Sequence, residues 1–301
     1  MATTAAPEPS SAPTATPLPP LTGRILFSAV TPTDNYGSIF VMNADGSGIV
    51  KLTGNEGGGQ PAWAPDGQHV VFLRSDGIWV MNADGSQQRR IHHVVAMDDQ
   101  WPVWSPNSRQ ILFLEAPRCA PCSIGMTFAL DVMNPDGSGL RKVTDVYSPE
   151  RPAFSPDSES IVFTGGWSDP PTLANGLQMI RLDGSALHQL TTGRDSSPVF
   201  SMDARLAFLR DSGEAADGTV LYSIVVANAD GSAPHEVHLP FVGEASLAWS
   251  PDGSRIALTG TPSLPITHAG QWDLWTIGPD GTGAARLTNT PDVDEGFASW
   301  H

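Results

Sequence analysis

The sequence has few basic residues and no long apolar run, and each shortage excludes a class of function. Sixteen Lys and Arg stand against 32 Asp and Glu, which gives a net charge of −16. Binding to nucleic acid or to an anionic membrane surface needs a basic footprint, so the composition argues against both partners. No run of about 18 apolar residues occurs, so no segment is expected to span a membrane.

Sustained helical spacing of apolar residues is also missing, and a repeated turn motif takes its place. Six apolar runs end in Asp-Gly followed by Ser or Thr, with 39 to 52 residues between successive copies. The copies are Asp45-Gly46, Asp84-Gly85, Asp136-Gly137, Asp183-Gly184, Asp230-Gly231 and Asp280-Gly281. A period of this length is typical of a four-stranded unit, so the chain is predicted to be all-β.

Each unit contains four strand-like segments. The first ends in an aromatic residue before a turn such as Ser250-Pro-Asp-Gly253, and the second is a run such as Val70-Val-Phe72. The third leads into Asp-Gly, and the short fourth often ends in Thr, as in Leu52-Thr53. In the turns, Gly supplies a positive φ and Asp supplies a side-chain bond to the backbone.

The arrangement of these units predicts a six-bladed β-propeller over residues 23–301. Four antiparallel strands cannot bury both faces alone, whereas six sheets packed radially bury each other's faces and leave only short edges. The first unit starts at a second strand, Gly23 to Phe27, and the chain stops where a first strand would end. We therefore expect Glu295 to Trp300 to close the ring by joining the three N-terminal strands in one composite blade.

Residues 1–22 differ from the repeats. Seventeen of the first 20 residues are Ala, Thr, Pro or Ser. Such a segment cannot build a core, and a disordered, semi-stiff tether is expected. It resembles the spacer after the cleaved signal or lipid anchor of bacterial envelope proteins, which predicts a periplasmic or extracellular location, with lipid anchoring before processing. A disordered tail of a cytosolic protein is the alternative.

The repeated Trp-Ser-Pro-Asp-Gly, Val-Met-Asn-Ala-Asp-Gly and Leu-Thr segments resemble the TolB-type β-propeller repeats, which also occur in prolyl-oligopeptidase-type peptidases. The resemblance covers residues 23–301 and implies an envelope or extracellular propeller that acts as a protein-binding platform. Two departures limit it. TolB carries an N-terminal α/β domain where this chain has the tether, and no Gly-x-Ser-x-Gly elbow of the peptidases occurs. Partner identity and peptidase activity therefore do not carry over.

Candidate binding residues lie in the irregular connections on one face of the predicted ring, and in the residues just before the first strands. Long irregular loops on a rigid scaffold usually carry binding residues, and first strands should line the central channel. The predicted ligand-binding residues are Tyr36, Asp98, Asp99, Glu150, Arg151, Trp167, Arg194, Asp195, Glu244, His268, Trp272, Asp294 and Glu295. The aromatic members could stack on a sugar or anchor a partner, or could simply pack within the loops. The strand tryptophans, such as Trp104, Trp249 and Trp300, are expected instead to fill space between blades.

Three interpretations of the acidic residues stay open. A carboxylate ring at the channel mouth could hold calcium, which prefers six to eight oxygen ligands. It could instead bind a Lys or Arg side chain of a protein partner, or form a solvated rim. No segment has the dense spacing of a calcium loop.

The two cysteines, Cys119 and Cys122, lie in the longest loop. No helix pattern follows them, as a redox motif of this spacing would require, so a small local disulfide is predicted. Free thiols and metal or redox chemistry are the alternatives.

The function predicted from these features is a non-catalytic binding module of the envelope or extracellular space, monomeric and acting through the loop face around the central channel. A protein is the expected partner and carbohydrate an alternative; no cofactor beyond calcium and no catalytic residue is predicted. The rival class is a metal-dependent enzyme, a polysaccharide lyase or lactone hydrolase, with its cation at the channel mouth. A structural scaffold without a ligand-sized site is the third hypothesis.

Overall fold

Every regular element in the described part of the chain is a β-strand. The computed structural model describes residues 21–30, 37–54, 56–93, 101–116, 127–147, 150–165, 176–214, 220–239, 242–261, 272–290 and 293–301. Within these residues the strands form six four-stranded antiparallel sheets, which are the blades of a propeller. The all-β prediction and the prediction of six blades are confirmed.

The strands follow the chain in four-strand units, apart from the first blade, which takes its innermost strand from the C-terminus. Blade 1 contains β24 (Asp294–Trp300), β1 (Arg24–Val30), β2 (Ser38–Asn43) and β3 (Val50–Lys51). Blade 2 contains β4 (Gly59–Trp63), β5 (His69–Arg74), β6 (Gly77–Asn82) and β7 (Arg89–His93). Blade 3 contains β8 (Val103–Trp104), β9 (Ile111–Glu115), β10 (Thr127–Met133) and β11 (Arg141–Tyr147).

The other three blades repeat this order. Blade 4 contains β12 (Ala153–Phe154), β13 (Ser160–Gly165), β14 (Gly176–Arg181) and β15 (His188–Gln189). Blade 5 contains β16 (Asp195–Phe200), β17 (Arg205–Glu214), β18 (Val220–Asn228) and β19 (His235–His238). Blade 6 contains β20 (Val242–Trp249), β21 (Ile256–Thr261), β22 (Asp273–Ile277) and β23 (Ala285–Arg286).

The ring closes through antiparallel pairing of β24 with β1. Ile25 pairs with Trp300 and Ala29 with Glu295. Beyond the strand ends, Arg24 N donates to His301 O at 2.5 Å, and His301 N donates back to Arg24 O at 3.0 Å. The predicted composite blade is therefore confirmed, and the two ends of the described chain lie in one sheet.

The apolar core is divided among the interfaces between neighbouring blades. One cluster joins Leu26, Ile39 and Val41 of blade 1 to Val70 and Phe72 of blade 2. Similar clusters lie between the other blades, and their largest members are fully buried. Because each sheet buries its faces only against its neighbours, stability depends on an unbroken ring.

The Asp-Gly turns that connect third to fourth strands hold their own geometry. In each, an Asp carboxylate oxygen accepts a hydrogen bond from the backbone N–H two residues later, as Asp136 does from Ser138 at 2.9 Å. The same bond recurs at the other five turns, at 2.9 to 3.0 Å. The Gly has φ near the left-handed region, +90° at Gly137. The predicted turn chemistry is confirmed.

These glycines also touch the neighbouring blade. A Cβ added to Gly137 would lie 2.2 Å from Ile91 O in the previous blade's fourth strand, and one on Gly85 would lie 2.7 Å from Leu52 O. At Gly46 the carbonyl is that of Leu287, at 2.6 Å, so the contact passes across the closing interface as well. Glycine is required here both for its backbone conformation and because no Cβ fits.

Candidate binding site in the central channel

The first strands of blades 2 to 6, together with β24 of blade 1, surround a central cavity of about 660 Å³. We name this cavity the channel. The end with the Asp-Gly and Pro-Asp-Gly hairpins is the turn face, and the opposite end is the loop face. The lining comes from residues 60–62, 65, 101–104, 106–107, 151–154, 156–158, 197–202, 247–251 and 298–301. Its volume lies within the range of about 300–1,000 Å³ that is common for ligand sites.

The channel wall is mainly apolar. Aromatic residues at the ends of the inner strands contribute to it: Trp104, Phe154, Phe200, Trp249 and Trp300. Trp249 Nε1 donates to Val199 O at 3.2 Å and Trp300 Nε1 to Thr22 O at 2.8 Å, while Trp104 Nε1 is buried. These indoles therefore present ring carbons, not N–H groups, to the cavity.

The turn-face end of the channel has a rim of turn residues. Pro65, Pro106, Pro156 and Pro251 occupy equivalent positions in four blades. Blade 5 has Met202 at this position, and its side chain is 83% exposed. Rigid prolines and a flexible thioether form the apolar part of this rim, beside polar turn residues such as Asn107 and Asp157, and the thioether can adapt to a ligand.

An irregular backbone conformation recurs at one position in or just before the inner strands, and in blades 2 and 5 it forms a β-bulge. The residue before the strand proline has a positive φ in four successive blades: Gln60 at +50°, Trp101 at +38°, Arg151 at +23° and Ser197 at +51°. All four residues line the channel. In blades 2 and 5 the pairing with the second strand shifts register here. Bulges redirect side chains, and strained backbone at a repeated position is typical of functional surfaces.

The bulge also connects neighbouring blades. Gln60 Oε1 accepts a hydrogen bond from Trp101 N at 2.8 Å. Similar bonds run from Ala298 N to Ser246 Oγ at 2.7 Å and from Trp63 N to Ser299 Oγ at 3.1 Å. The wall of the channel is therefore fixed by contacts between blades, which preorganises it for a ligand.

Few ionisable groups lie among the described lining residues. They are Arg151, Asp157 and His301. The hydrogen bond from Ser155 Oγ lowers the pKa of Asp157, whose carboxylate also accepts from Glu159 N at 2.9 Å. Asp157 is thus committed to its turn, and Arg151 places a positive charge in the wall of a strongly acidic protein.

Several sequence-predicted site residues fall outside the described residues. These are Tyr36, Asp98, Asp99, Trp167, His268 and the predicted disulfide residues Cys119 and Cys122. For Glu244 only the backbone is described, within β20. The predictions for these side chains stay predictions.

Three of the predicted residues come together at a second cavity of about 210 Å³ on the loop side of blade 5. Glu150, Arg194 and Asp195 line it with Asp211 and others. Arg210 holds the buried Asp195 with two bonds, at 2.7 and 2.8 Å, and Arg194 Nη1 lies 3.2 Å from Asp211 Oδ2. Arginines therefore pair with two of the four acidic residues that line this cavity, Asp195 and Asp211.

Another three lie together where β24 passes β22. Glu295 N donates to Trp272 O at 3.0 Å, and Trp272 N donates to Asp294 Oδ1 at 3.4 Å. The Glu295 side chain is only 4% exposed and interacts with Asp273, and Glu295 is not among the residues that line the channel. Arg151 is the only predicted site residue in the described channel wall.

Metal binding finds no ready donor set in the described ranges. Among these residues no three His, Cys, Asp or Glu side chains gather in an arrangement that could hold a metal ion. The calcium alternative stays a prediction.

Sequence reasoning missed the contribution of the inner-strand aromatics to the channel. It assigned the strand residues Trp104, Trp249 and Trp300 to packing between blades, but all three also line the channel. The available signal was the repeated aromatic residue directly before the Ser-Pro-Asp-Gly turn.

The fold and the channel define a six-bladed β-propeller with a preorganised apolar central site. Residues 10–202 match the TolB beta propeller domain, and the chain belongs to this family. The comparison with curated protein sequences gives no match. No helix in the described residues is long and apolar enough to cross a membrane.

Three solved structures illustrate the range of proteins with this fold. TolB from Acinetobacter baumannii is 15% identical with a TM-score of 0.75, over 94% of this chain and 68% of that one. A chain of the nidogen/laminin complex is 11% identical with a TM-score of 0.64, over 91% and 98%. Oligogalacturonate lyase from Vibrio parahaemolyticus is 14% identical with a TM-score of 0.60, over 89% and 75%. At these identities the likeness shows the shared fold alone.

Proposed function

We propose that this propeller is a non-catalytic binding module of the cell envelope, and that its channel holds a segment of a protein partner. The observation that carries the proposal is the 660 Å³ channel with its mainly apolar, aromatic wall. Buried aromatic anchors supply most of the binding energy in protein interfaces, where they fill well-packed pockets.

The chemistry of the wall favours a peptide over a sugar. Sugar recognition needs many hydrogen bonds besides stacked aromatics, whereas the indole N–H groups of Trp104, Trp249 and Trp300 are buried or already bonded. A peptide segment with an apolar side chain can fill the space beside Trp104, and an acidic group on it can pair with Arg151.

The same wall favours binding over catalysis. A metal-dependent lyase or hydrolase would need converging His and carboxylate ligands at the channel, and the described lining supplies one committed carboxylate and one histidine. Oligogalacturonate lyase shares the fold, and a metal-dependent enzyme is therefore the alternative function. The nidogen/laminin complex shows that this fold also occurs in an assembly of two proteins.

The envelope location rests on two supports. The chain belongs to the TolB propeller family, whose members include periplasmic proteins. Its first 20 residues have the composition of a spacer behind an export signal or anchor. Fractionation of cells with an antibody to the propeller tests this part of the proposal, and recovery with the cytosol alone would contradict it.

Site-specific photo-crosslinking in intact cells tests the channel directly. A photoreactive residue at Met202, on the channel rim, should give a discrete protein adduct. The matched control is Ile49, which is 47% exposed and lies outside the channel lining just before β3. Equal crosslinking from both positions would contradict a partner at the channel, and a carbohydrate adduct would replace the proposed class of ligand.

A further inference from the structure

Two buried carboxylates interact electrostatically where the closing strand meets blade 6. Glu295 of β24 is 4% exposed and Asp273 of β22 is 2% exposed. Each has one bonded oxygen: Thr290 Oγ1 donates to Glu295 Oε1, and Arg286 Nη2 donates to Asp273 Oδ2. The second oxygen of each, Glu295 Oε2 and Asp273 Oδ1, is buried with no hydrogen-bond partner among the described residues.

The charges around this pair do not balance when both groups are ionised. Arg286 of β23 supplies one positive charge against two carboxylates, while the Thr290 N–H and the Thr288 hydroxyl add only neutral donors. Asp294, also on β24, adds a negative charge whose Oδ1 accepts from Trp272 N at 3.4 Å. On the other side, Ser28 and Ala29 of β1 carry no ionisable group. An uncompensated buried charge strongly destabilises a folded protein.

One proton resolves the imbalance. A protonated Glu295 becomes a hydrogen-bond donor, and the unpaired oxygen of Asp273 is an acceptor in the same cluster. Burial first, and then the charge of Asp273, raise the pKa of Glu295 to about 7 from an ordinary 4.5. The protonated form is thus accessible in neutral water.

The position of Glu295 within β24 limits which part of this strand the proton can affect. The pairing of β24 with β1 is interrupted by a register shift between Leu26 and Ser28, which divides β24 into two halves. The turn-face half is fastened by Arg24, His301, Trp300 and Ser299. The loop-face half has the bond from Ser28 Oγ to Gly296 O at 3.1 Å, the bond from Glu295 N to Trp272 O, and the carboxylate pair.

We propose that Glu295 and Asp273 form a proton-operated latch on the loop-face half of the closing strand. With one proton on the pair, this half stays packed against β22. Loss of the proton to water leaves two buried negative charges and loosens residues 294–296, while the turn-face half remains paired. The loop-face end of the ring thereby becomes sensitive to pH near neutrality, whatever the channel binds.

Two measurements on the full, unaltered chain test the latch. Carbon-13 NMR of the carboxyl groups should give a titration midpoint for Glu295 near 7. Amide exchange at Glu295, corrected for intrinsic rates, should rise on the order of 50-fold from pH 5 to pH 8, because the opened state releases the proton. Exchange at Ser299 and Trp300 should not follow it. A midpoint near 4.5, or a uniform rise along β24, would overturn the proposal.

Variants separate the latch from a general effect of pH. Glu295→Gln keeps a neutral, hydrogen-bonding side chain and should abolish the rise in exchange at residues 294–296. Asp294→Asn removes a carboxylate from the same strand but leaves the pair intact, so it should keep the rise. A persistent rise in Glu295→Gln, or its loss in Asp294→Asn, would contradict the latch. If Glu295→Gln does not fold, the titration of the unaltered chain decides.

Discussion

The acidic residues of the turns and those buried in the strands behave in opposite ways. In the turns, hydrogen bonds from the following Ser lower the pKa of exposed carboxyls such as Asp45 and Asp136. In the strands, burial raises the pKa of Asp131 to about 6 and that of Glu295 to about 7. These carboxyl groups are therefore of two kinds. One kind stabilises hairpins, and the other is held in the fold at a cost that depends on pH.

The contrast predicts opposite pH dependences. A carboxyl whose pKa is lowered by folding stabilises the fold at pH values above its unfolded-state pKa. This contribution disappears as the pH falls through the folded-state pKa. A carboxyl whose pKa is raised by folding favours the fold at low pH. That advantage disappears as the pH rises through the folded-state pKa. The following substitutions test this contrast, from the largest expected effect to the smallest.

Distortion of a turn should have the largest effect. Gly137→Ala places a Cβ 2.2 Å from Ile91 O at a φ of +90°, and should lower the free energy of unfolding by about 3 kcal/mol. Gly54→Ala is the matched control, because nothing lies within 4 Å of its Cβ. Chemical denaturation at pH 7 measures both, and similar losses in the two variants would contradict the close contact between blades.

Neutralising the most perturbed buried carboxyl should stabilise the protein in alkaline solution. At pH 8 the ionised Glu295 is a buried charge, so Glu295→Gln should raise the free energy of unfolding by about 2 kcal/mol. At pH 4.5 the gain should vanish, because folded Glu295 then carries its proton. Denaturation curves across this interval check the sign, and a variant that is less stable at pH 8 would refute it.

Asp131 should show a smaller effect of the same sign at lower pH. Burial and the nearby Glu115 raise its pKa, with Lys142 acting in the opposite direction. As the pH rises from 4 to 6, the free energy of unfolding of Asp131→Asn should therefore rise by about 1 kcal/mol relative to that of the unsubstituted protein. Little further change is expected above pH 6. If the free energy of unfolding depended on pH in the same way in the variant and in the unsubstituted protein over that interval, Asp131 would not hold its proton in the fold.

The turn carboxyls should show the smallest effect, with the opposite sign. Asp136→Ala removes the acceptor for Ser138 N and Oγ, so the variant should be slightly less stable at pH 7. The deficit should shrink as the pH falls below 3.8, where the native carboxyl takes up its proton and loses its advantage. Thermal melting at pH 7 and pH 2.5 measures the difference, and a constant deficit would contradict the assignment.

The sequence predicts the fold well because its turn motifs repeat. Six Asp-Gly turns predict the number of blades, and the positions of the first and last strands within the repeat predict the composite blade. The contact of Gly137 with Ile91 O could not be predicted, because a positive φ is a local property, whereas the missing space for a Cβ is set by the previous blade.

The site was harder to predict, and the bulge explains part of the reason. Strand side chains alternate between faces, so one inserted residue reverses the assignment of those that follow. The bulge at Gln60 and Ser197 is not visible as periodicity, and the inner-strand aromatics were therefore assigned only to the blade interfaces. The same alternation separates neighbours such as Asp294 and Glu295, and sequence alone does not say which of them is buried.

The most direct test of a channel-bound partner compares two tryptophans by calorimetry. Once crosslinking from Met202 has identified the partner segment, its affinity is measured for Trp104→Leu, in the channel wall, and Trp79→Leu, in β6 away from it. We expect at least a tenfold loss of affinity in Trp104→Leu and a change of less than about twofold in Trp79→Leu. Unchanged binding in Trp104→Leu, or equal losses in both folded variants, would contradict the channel as the binding site.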